Sequence, residues 1–89
     1  MERKHVYYRG QVQGVGFRYT TVRVARNYRV GGYVRNMMDG KVELVVEGEV
    51  EETESFLEEL EKAMGGYISD RRVQDEPFRG DFEGFDIRF

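Results

Sequence analysis

The spacing of apolar residues divides the chain into short strands that alternate with helical segments. Residues 4–12 are rich in strand-forming side chains and predict the opening strand. Residues 17–28 follow a helical period instead, because apolar side chains recur there at three-residue steps. The Gly31-Gly32 pair is predicted to end this first helix.

The central third of the sequence predicts a β-hairpin. Strands are expected over residues 33–38 and 41–47, and the Asp39-Gly40 pair between them is typical of a type I′ turn. In the second of these strands apolar side chains alternate with charged ones, and Val45 is the exception. One face of this strand is therefore predicted to meet the core.

A second helix and two further strands complete the pattern. Acidic residues at positions 49–54 suit the positive end of a helix dipole, and the apolar stripe behind them predicts a helix to residue 64. The stripe expected to face the core consists of Phe56, Leu57, Leu60, Ala63 and Met64. Gly65-Gly66 is expected to stop the helix through a left-handed residue. A strand over residues 67–74 and a short last strand over residues 84–89 follow.

The order strand, helix, strand, strand, helix, strand predicts a ferredoxin-like split βαβ fold. In this α+β two-layer sandwich (βαββαβ), two helices cover one face of an antiparallel sheet. With 89 residues the chain is long enough for one core, so residues 1–89 are predicted to form a single domain. The fold alone does not specify a function, because it carries enzymes, RNA-binding modules and ligand sensors.

Composition narrows the classes of function. The net charge of −3 provides no global basic field to recruit nucleic acid. The chain has no cysteine, which excludes thiolate chemistry, and its only histidine, His5, is too isolated for a metal cluster or a catalytic triad. Neither a signal peptide nor an apolar run of ~20 residues is recognisable, so we expect a cytoplasmic protein. No long apolar surface stripe is left over, so we expect a monomer. A charged fraction of 35% suggests a thermophilic source.

Residues 10–18, Gly-Gln-Val-Gln-Gly-Val-Gly-Phe-Arg, carry the clearest chemical signal. Glycines at positions 10, 14 and 16 let the chain turn tightly, so that successive amide N–H groups can converge on one anion. A helix that begins near Phe17 favours the same anion, and Arg18 adds a planar fork of donors for phosphate oxygens. The loop is neither a Walker loop nor a dinucleotide fingerprint. It is a candidate phosphate cradle, and the alternative is a tight turn without a ligand.

Asn36 lies near the end of the second predicted strand, just before the turn. Asparagine commonly forms turns at such positions. Its carboxamide, however, offers both donors and an acceptor, with which it can orient a water molecule toward an electrophile. In the split βαβ arrangement the start of the first helix approaches this strand, so Arg18 and Asn36 are expected to face one pocket.

Together the two segments resemble the signature motifs of the acylphosphatase family. The first motif, G-x-V-x-G-V-x-F-R, is met by Gly10, Val12, Gly14, Val15, Phe17 and Arg18. The second motif, G-aromatic-V-basic-N-x-x-x-G-x-V-x-x-x-x-x-G, is met by Gly32, Tyr33, Val34, Arg35, Asn36, Gly40, Val42 and Gly48. The closing Gly84-Phe85-Asp86-Ile87 also resembles the family's last strand. Arg29 departs from the pattern, because relatives commonly have a glycine there that ends the first helix.

The resemblance implies hydrolysis of acyl phosphates to a carboxylate and inorganic phosphate, with no metal or other cofactor. It implies that Arg18 binds the phosphoryl group together with loop amides, and that Asn36 positions the attacking water. The amides concerned are those of Gly14, Val15, Gly16, Phe17 and Arg18. The expected partners are then a small acyl phosphate and the phosphate product, with no nucleic acid and no membrane.

The residues present agree with this chemistry. A carboxylate leaving group, whose conjugate acid has a pKa of ~4, departs without a general acid, so no catalytic histidine is needed. The loose transition state of phosphoryl transfer needs mainly positioning and charge stabilisation. Because no basic side chain belongs to either motif, we expect an oxygen of the substrate's own phosphate to take the proton of the water.

Two other functions stay open from the sequence. An acylphosphatase-like domain that acts on carbamoyl phosphate within a larger maturation system keeps the same site, although a chain of 89 residues argues against it. A non-catalytic module with Tyr7, Tyr8 and Tyr33 as RNA-stacking platforms is disfavoured by the acidic charge. Within the glycine loop, Gln13 is expected to contribute backbone geometry and not its side chain.

Overall fold

A five-stranded sheet with two helices organises the chain, and the computed structural model describes all of it, residues Met1–Phe89. The strands are β1 (Glu2–Gly10), β2 (Val30–Asn36), β3 (Val42–Gly48), β4 (Ile68–Glu76) and β5 (Phe85–Arg88). The helices are α1 (Phe17–Ala25) and α2 (Val50–Met64). The strands lie in the order β4-β1-β3-β2-β5.

The pairing of these strands confirms the ferredoxin-like α+β sandwich. β1 pairs antiparallel with both β3 and β4, and β2 pairs antiparallel with β3. The short last strand, β5, pairs parallel with β2, so the whole sheet is mixed and not uniformly antiparallel. The reason is the path of the chain, because residues 77–84 lead from β4 at one edge of the sheet to β5 at the other.

The apolar core lies between the helices and one face of the sheet. Its buried side chains include Val6, Tyr8, Phe17, Val24, Val34, Leu44, Val46, Phe56, Leu57, Leu60 and Met64. Burying each large apolar side chain contributes about 1.5–3 kcal/mol. The stripe predicted for α2 is confirmed except at Ala63, which is exposed, while Thr53 is buried instead.

Glycine has a different role in β2 from the predicted one. The helix α1 already ends at Ala25, and Gly31 and Gly32 lie inside β2. A Cβ on Gly32, at φ 151°, would lie 1.9 Å from the carbonyl oxygen of Val45. Gly32 is therefore required by the close approach of β3, and the helix-breaking interpretation was wrong.

The turn between β2 and β3 also differs from the type I′ prediction. Only Gly40 has a positive φ, 93°, whereas a type I′ turn needs positive φ at two successive positions. Gly40 N–H donates to the carbonyl of Met37 at 3.2 Å, and Met37 N–H donates to the carbonyl of Lys41 at 2.8 Å. This is a three-residue hairpin loop, residues 38–40, in which glycine alone adopts the left-handed conformation.

The end of α2 is tighter than expected. Gly65 is right-handed, with φ −55°, and Gly65–Tyr67 continues as a short 3₁₀ turn. Ile68 N–H donates to the carbonyl of Gly65 and so satisfies one of the free carbonyl groups. The predicted left-handed cap is therefore wrong. The two glycines instead belong to a 3₁₀ turn that connects α2 to β4.

The face of the sheet away from the helices carries a charge network, which explains why β3 is buried along its whole length. Arg3 donates to Glu47 at 3.1 Å and to Glu76 at 2.9 Å. Both ring nitrogens of His5 lie 2.8 Å from a carboxylate oxygen, one on Glu76 and one on Glu43. These five residues form what we call the sheet-face network.

The connection after β4 closes over this network. The backbone amides of Arg79 and Gly80 donate to the Glu47 carboxylate at 2.8 and 3.1 Å. Burial raises the pKa of Glu47, but these amides and Arg3 outweigh it and hold the pKa below its usual value. Glu47 is only 4% exposed, and it stays ionised because Arg3 and the two backbone amides donate to its carboxylate.

Candidate active site

The glycine loop joins β1 to α1 and takes its shape from two left-handed glycines. Gly14 and Gly16 have φ values of 79° and 78°, and no other residue type in the chain has a positive φ. No atom lies within 4 Å of a Cβ built on either one, so the backbone conformation and not crowding requires glycine there. Val12 and Phe17, both buried, anchor the two ends of the loop in the core.

The amides of this loop and of the first helical turn are left available. Residues 11–16 donate no backbone hydrogen bond within the protein, and the first bond at the start of α1 runs from Thr20 N–H to the carbonyl of Gly16 at 3.0 Å. Gly16 caps the helix without a side-chain hydrogen bond. Free amides at a helix start favour an anion, through both their hydrogens and the helix dipole.

Arg18 lies in the first turn of α1 and its guanidinium makes no ion pair within the protein. The guanidinium carbon lies over the ring of Phe89, 5.2 Å from the ring centre. Phe89 is itself 95% exposed, and the Arg18 side chain donates no hydrogen bond to any protein group. Its planar fork of donors is therefore available for an anion.

Asn36 is the last residue of β2, and its carboxamide is unusual among the polar groups of the protein. The Oδ1 atom is buried and accepts no hydrogen bond from any protein group. Buried polar atoms in folded proteins nearly always have a partner, so this oxygen is a candidate acceptor for a hydrogen from a water molecule or ligand.

Two contacts link these parts at one end of the sheet. Arg35 of β2 pairs with Arg88 of β5, so Phe89 follows β5 on the side where Asn36 ends β2. Phe89 in turn contacts Arg18. The start of α1 and the end of β2 therefore share this end of the molecule. That Arg18 and Asn36 face one pocket stays a prediction.

The second contact was not predicted. Gln13 Nε2 donates to the carbonyl of Met37 at 2.7 Å and to the carbonyl of Lys41 at 2.9 Å. The expectation that Gln13 acts only through its backbone is wrong. A signal was present in the sequence, because Gln13 is the only residue between Val12 and Arg18 with a hydrogen-bonding side chain.

Other side chains around the site do not suggest a different chemistry. No three His, Asp or Glu side chains converge closely enough to hold a metal ion. The cations Lys4 and Arg35 pair with Asp75 and Glu43 on the sheet. Neither helix has the length and apolar character that a membrane crossing needs.

Comparisons with known proteins identify the family of the chain. Residues 4–87 match the family described as Acylphosphatase. An acylphosphatase of Syntrophobacter fumaroxidans is 39% identical over 88 residues, which cover 98% of this chain and 91% of the relative. The crystal structure of acylphosphatase from Bacillus subtilis superposes over 100% of both chains with a TM-score of 0.89 and 29% identity. The crystal structure of T. kodakarensis HypF superposes with a TM-score of 0.84 and 34% identity over 100% of this chain and 12% of that one. On these matches, this chain belongs to the acylphosphatase family.

Proposed function

We propose that the chain hydrolyses acyl phosphates to a carboxylate and inorganic phosphate at the end of the sheet where α1 begins. The observation that carries the proposal is the combination of free loop amides, an unpaired Arg18 and an unpartnered Asn36 oxygen at that end. Family membership over residues 4–87 supports the same reaction.

The phosphoryl group is the part of the substrate that this site recognises. Its oxygens accept hydrogen bonds from the backbone amides of Gly14, Val15, Gly16, Phe17 and Arg18. The Arg18 guanidinium adds donors in one plane, which suits two phosphate oxygens at once. Because these donors are fixed before the substrate arrives, they stabilise the charge of the transition state without reorganising.

Asn36 orients the water that attacks phosphorus. Its Oδ1 accepts one hydrogen of the water, which turns a lone pair of the water oxygen toward the phosphorus atom. The new bond forms between this oxygen and phosphorus. The bond from phosphorus to the acyl oxygen breaks, and the carboxylate leaves with the electron pair.

The proton of the attacking water goes to an oxygen of the transferred phosphate. A carboxylate leaving group needs no protonation, and the loose transition state requires little general-base assistance. The rate should therefore show no steep ionisation that belongs to a protein side chain. A pH profile of kcat whose ionisation disappears when one carboxylate of the protein is replaced would contradict this step.

The finer expectations about the protein's setting belong to the same proposal. We propose that residues 1–89 act as one catalytic domain, as a monomer in the cytoplasm, with no nucleic acid or membrane partner. The sheet-face network supports a thermophilic source, since networks of ion pairs gain in value at high temperature.

Carbamoyl phosphate is the alternative substrate. The similarity to a segment that makes up 12% of T. kodakarensis HypF indicates that this fold also occurs inside much longer chains. Comparing kcat/KM for carbamoyl phosphate with that for benzoyl phosphate on the same preparation distinguishes the two. A value for carbamoyl phosphate that exceeds the other at least tenfold would favour the alternative.

Release of inorganic phosphate from benzoyl phosphate by the full chain tests the proposed reaction. We expect catalysed release at the same rate with and without a chelator, because neither the loop amides nor Arg18 requires a metal. The absence of any catalysed release, or its loss on adding the chelator, would contradict the proposal. Competitive inhibition by inorganic phosphate tests separately whether the anion binds.

A further inference from the structure

Gln13 bridges two parts of the site that come from distant segments of the chain. Its backbone belongs to the glycine loop, directly before the left-handed Gly14. Its side-chain nitrogen donates to two carbonyl groups of the hairpin loop, those of Met37 and Lys41. Met37 directly follows Asn36, so this bridge spans from the proposed phosphate-binding loop to the neighbour of the proposed water-positioning residue.

The hydrogen bonds require a primary amide of this length. Nε2 lies 2.7 Å from one carbonyl oxygen and 2.9 Å from the other, so each of its two hydrogens has its own acceptor. The donor capacity of the side chain is therefore fully used. A glutamate has no hydrogen to donate to these carbonyls, and an asparagine is one methylene shorter. The Lys41 carbonyl also accepts from Met37 N–H at 2.8 Å, so Gln13 binds to the residue pair that closes the hairpin loop.

We infer that Gln13 is a positioning residue that fixes the distance between the phosphate-binding loop and the carboxamide of Asn36. This inference rests on the proposed function, because it assumes that phosphate binds on one side of the bridge and water on the other. Gln13 touches neither the phosphate nor the water. It acts by holding the loop and the end of β2 in a single geometry.

Removing the Gln13 bridge should affect the orientation of the attacking water but not the binding of phosphate. A general structural role of Gln13 would change both. The loop is anchored in the core by Val12 and Phe17, independently of Gln13, so the amides keep their shape when the bridge is removed. Binding of inorganic phosphate should then change little. The orientation of the water toward phosphorus depends on the bridge. A displacement of a reacting group by about 1 Å lowers the rate of the chemical step by roughly 100-fold.

The test uses Gln13→Met, which keeps the length and lacks the donors, together with Gln13→Ala. We expect kcat for benzoyl phosphate to fall roughly 10- to 100-fold in both, with little change in the inhibition constant of inorganic phosphate. In the Asn36→Ala background, Gln13→Met should cause a much smaller further loss, because the water is no longer aimed. Gln11→Ala is the matched control, since Gln11 lies in the same loop and is exposed.

Three results would overturn the inference. One is an unchanged kcat in Gln13→Met beside an active parent protein. The second is a rise in the phosphate inhibition constant as large as the fall in kcat, which would indicate that the loop itself had changed its shape. The third is unfolding of both variants in urea at concentrations where the Gln11→Ala control stays folded. If the parent protein itself releases no phosphate, the proposed function fails, and that result is distinct from the other three.

Discussion

The sheet-face network and the candidate active site differ in whether their polar groups have partners within the protein. In the network, Arg3 and Glu47 are both buried. Arg3 donates to the Glu47 carboxylate, which also accepts from the backbone amide of Arg79. At the site, Arg18 makes no ion pair and Asn36 Oδ1 is buried without a protein partner. Both regions contain charged or polar side chains at low exposure, so composition alone does not distinguish them.

The difference teaches that the state of pairing, and not the presence of charge, separates a structural group from a functional one. Removing one partner of a buried ion pair destabilises the fold strongly, because the other charge is left uncompensated. A buried donor or acceptor without a partner lowers the stability of the fold, but it is ready to bind a ligand. Substitutions in the two regions should therefore affect different measurements.

The largest effect is expected from Arg18→Ala. Loss of a preorganised donor to the phosphoryl group should lower kcat/KM for benzoyl phosphate roughly 100- to 1,000-fold. The Arg18 guanidinium lies over the ring of the exposed Phe89 and makes no ion pair, so the free energy of unfolding in urea should change by less than about 1 kcal/mol. Arg18→Lys should also lose most of the activity, since a point charge does not replace a planar fork. An active Arg18→Ala enzyme would remove this residue from the site.

Asn36→Ala should lower kcat about 100-fold and leave the inhibition constant of inorganic phosphate nearly unchanged. Its stability in urea should stay equal or rise, because the substitution removes a buried acceptor that has no protein partner. Asn27→Ala is the matched control, since Asn27 is exposed and follows the other end of α1. A large loss of stability in Asn36→Ala without a loss of rate would assign the residue to the turn instead.

The sequence predicts the fold well because the periods of its apolar residues agree with the final packing. The stripe of α2 and the alternation of β3 point to the same core, and both helices begin close to their expected positions. Val45 breaks the alternation because β3 lies in the centre of the sheet and is covered on both faces. Part of this cover comes from the loop of residues 77–84, and no pattern within β3 predicts that this loop folds over it.

The site is predictable to a different degree. The glycine spacing and Arg18 indicate an anion, because these residues are adjacent in the sequence. The bridge from Gln13 to Met37 joins residues 24 positions apart, and its acceptor is a backbone carbonyl that no residue type reveals. The two wrong assignments at Gly32 and Gly65 have different causes. Gly32 is required by the close approach of β3, whereas open space surrounds Gly65 and its backbone is right-handed.

In the sheet-face network, Glu47→Gln should leave kcat unchanged and lower the free energy of unfolding by about 3 kcal/mol. The amide is neutral, so the buried Arg3 keeps only Glu76 as an ionic partner, and one of the bonds from Arg79 and Gly80 loses its acceptor oxygen. Asp75→Asn provides the control, because Asp75 is 78% exposed in its ion pair with Lys4 and such pairs contribute at most about 1 kcal/mol. Equal effects of the two substitutions on urea unfolding would contradict the distinction drawn between buried and exposed pairs.

The smallest effect concerns the response of stability to acid. Hydrogen bonds from His5 and Arg3 hold the pKa of Glu76 below its usual value. A carboxylate whose pKa is lower in the folded state adds stability above its unfolded pKa of about 4.3, and this stability is lost as the pH falls through the folded value. Unfolding free energy should therefore decrease below about pH 5.

Glu76→Gln tests the share of a single group in that decrease. The substitution removes one titrating carboxylate, so the slope of unfolding free energy against pH should become shallower between about pH 5 and pH 3. The change should be smaller than the slope that the uptake of one proton on unfolding would produce. The reduction is less than a full proton because Glu76 is 28% exposed and its partners are partly screened. Activity above pH 6 should equal that of the parent protein, since neither Arg18 nor Asn36 belongs to the network. A variant with the parent's slope would show that His5 and Arg3 hold Glu76 no more tightly in the folded protein than solvent does in the unfolded chain.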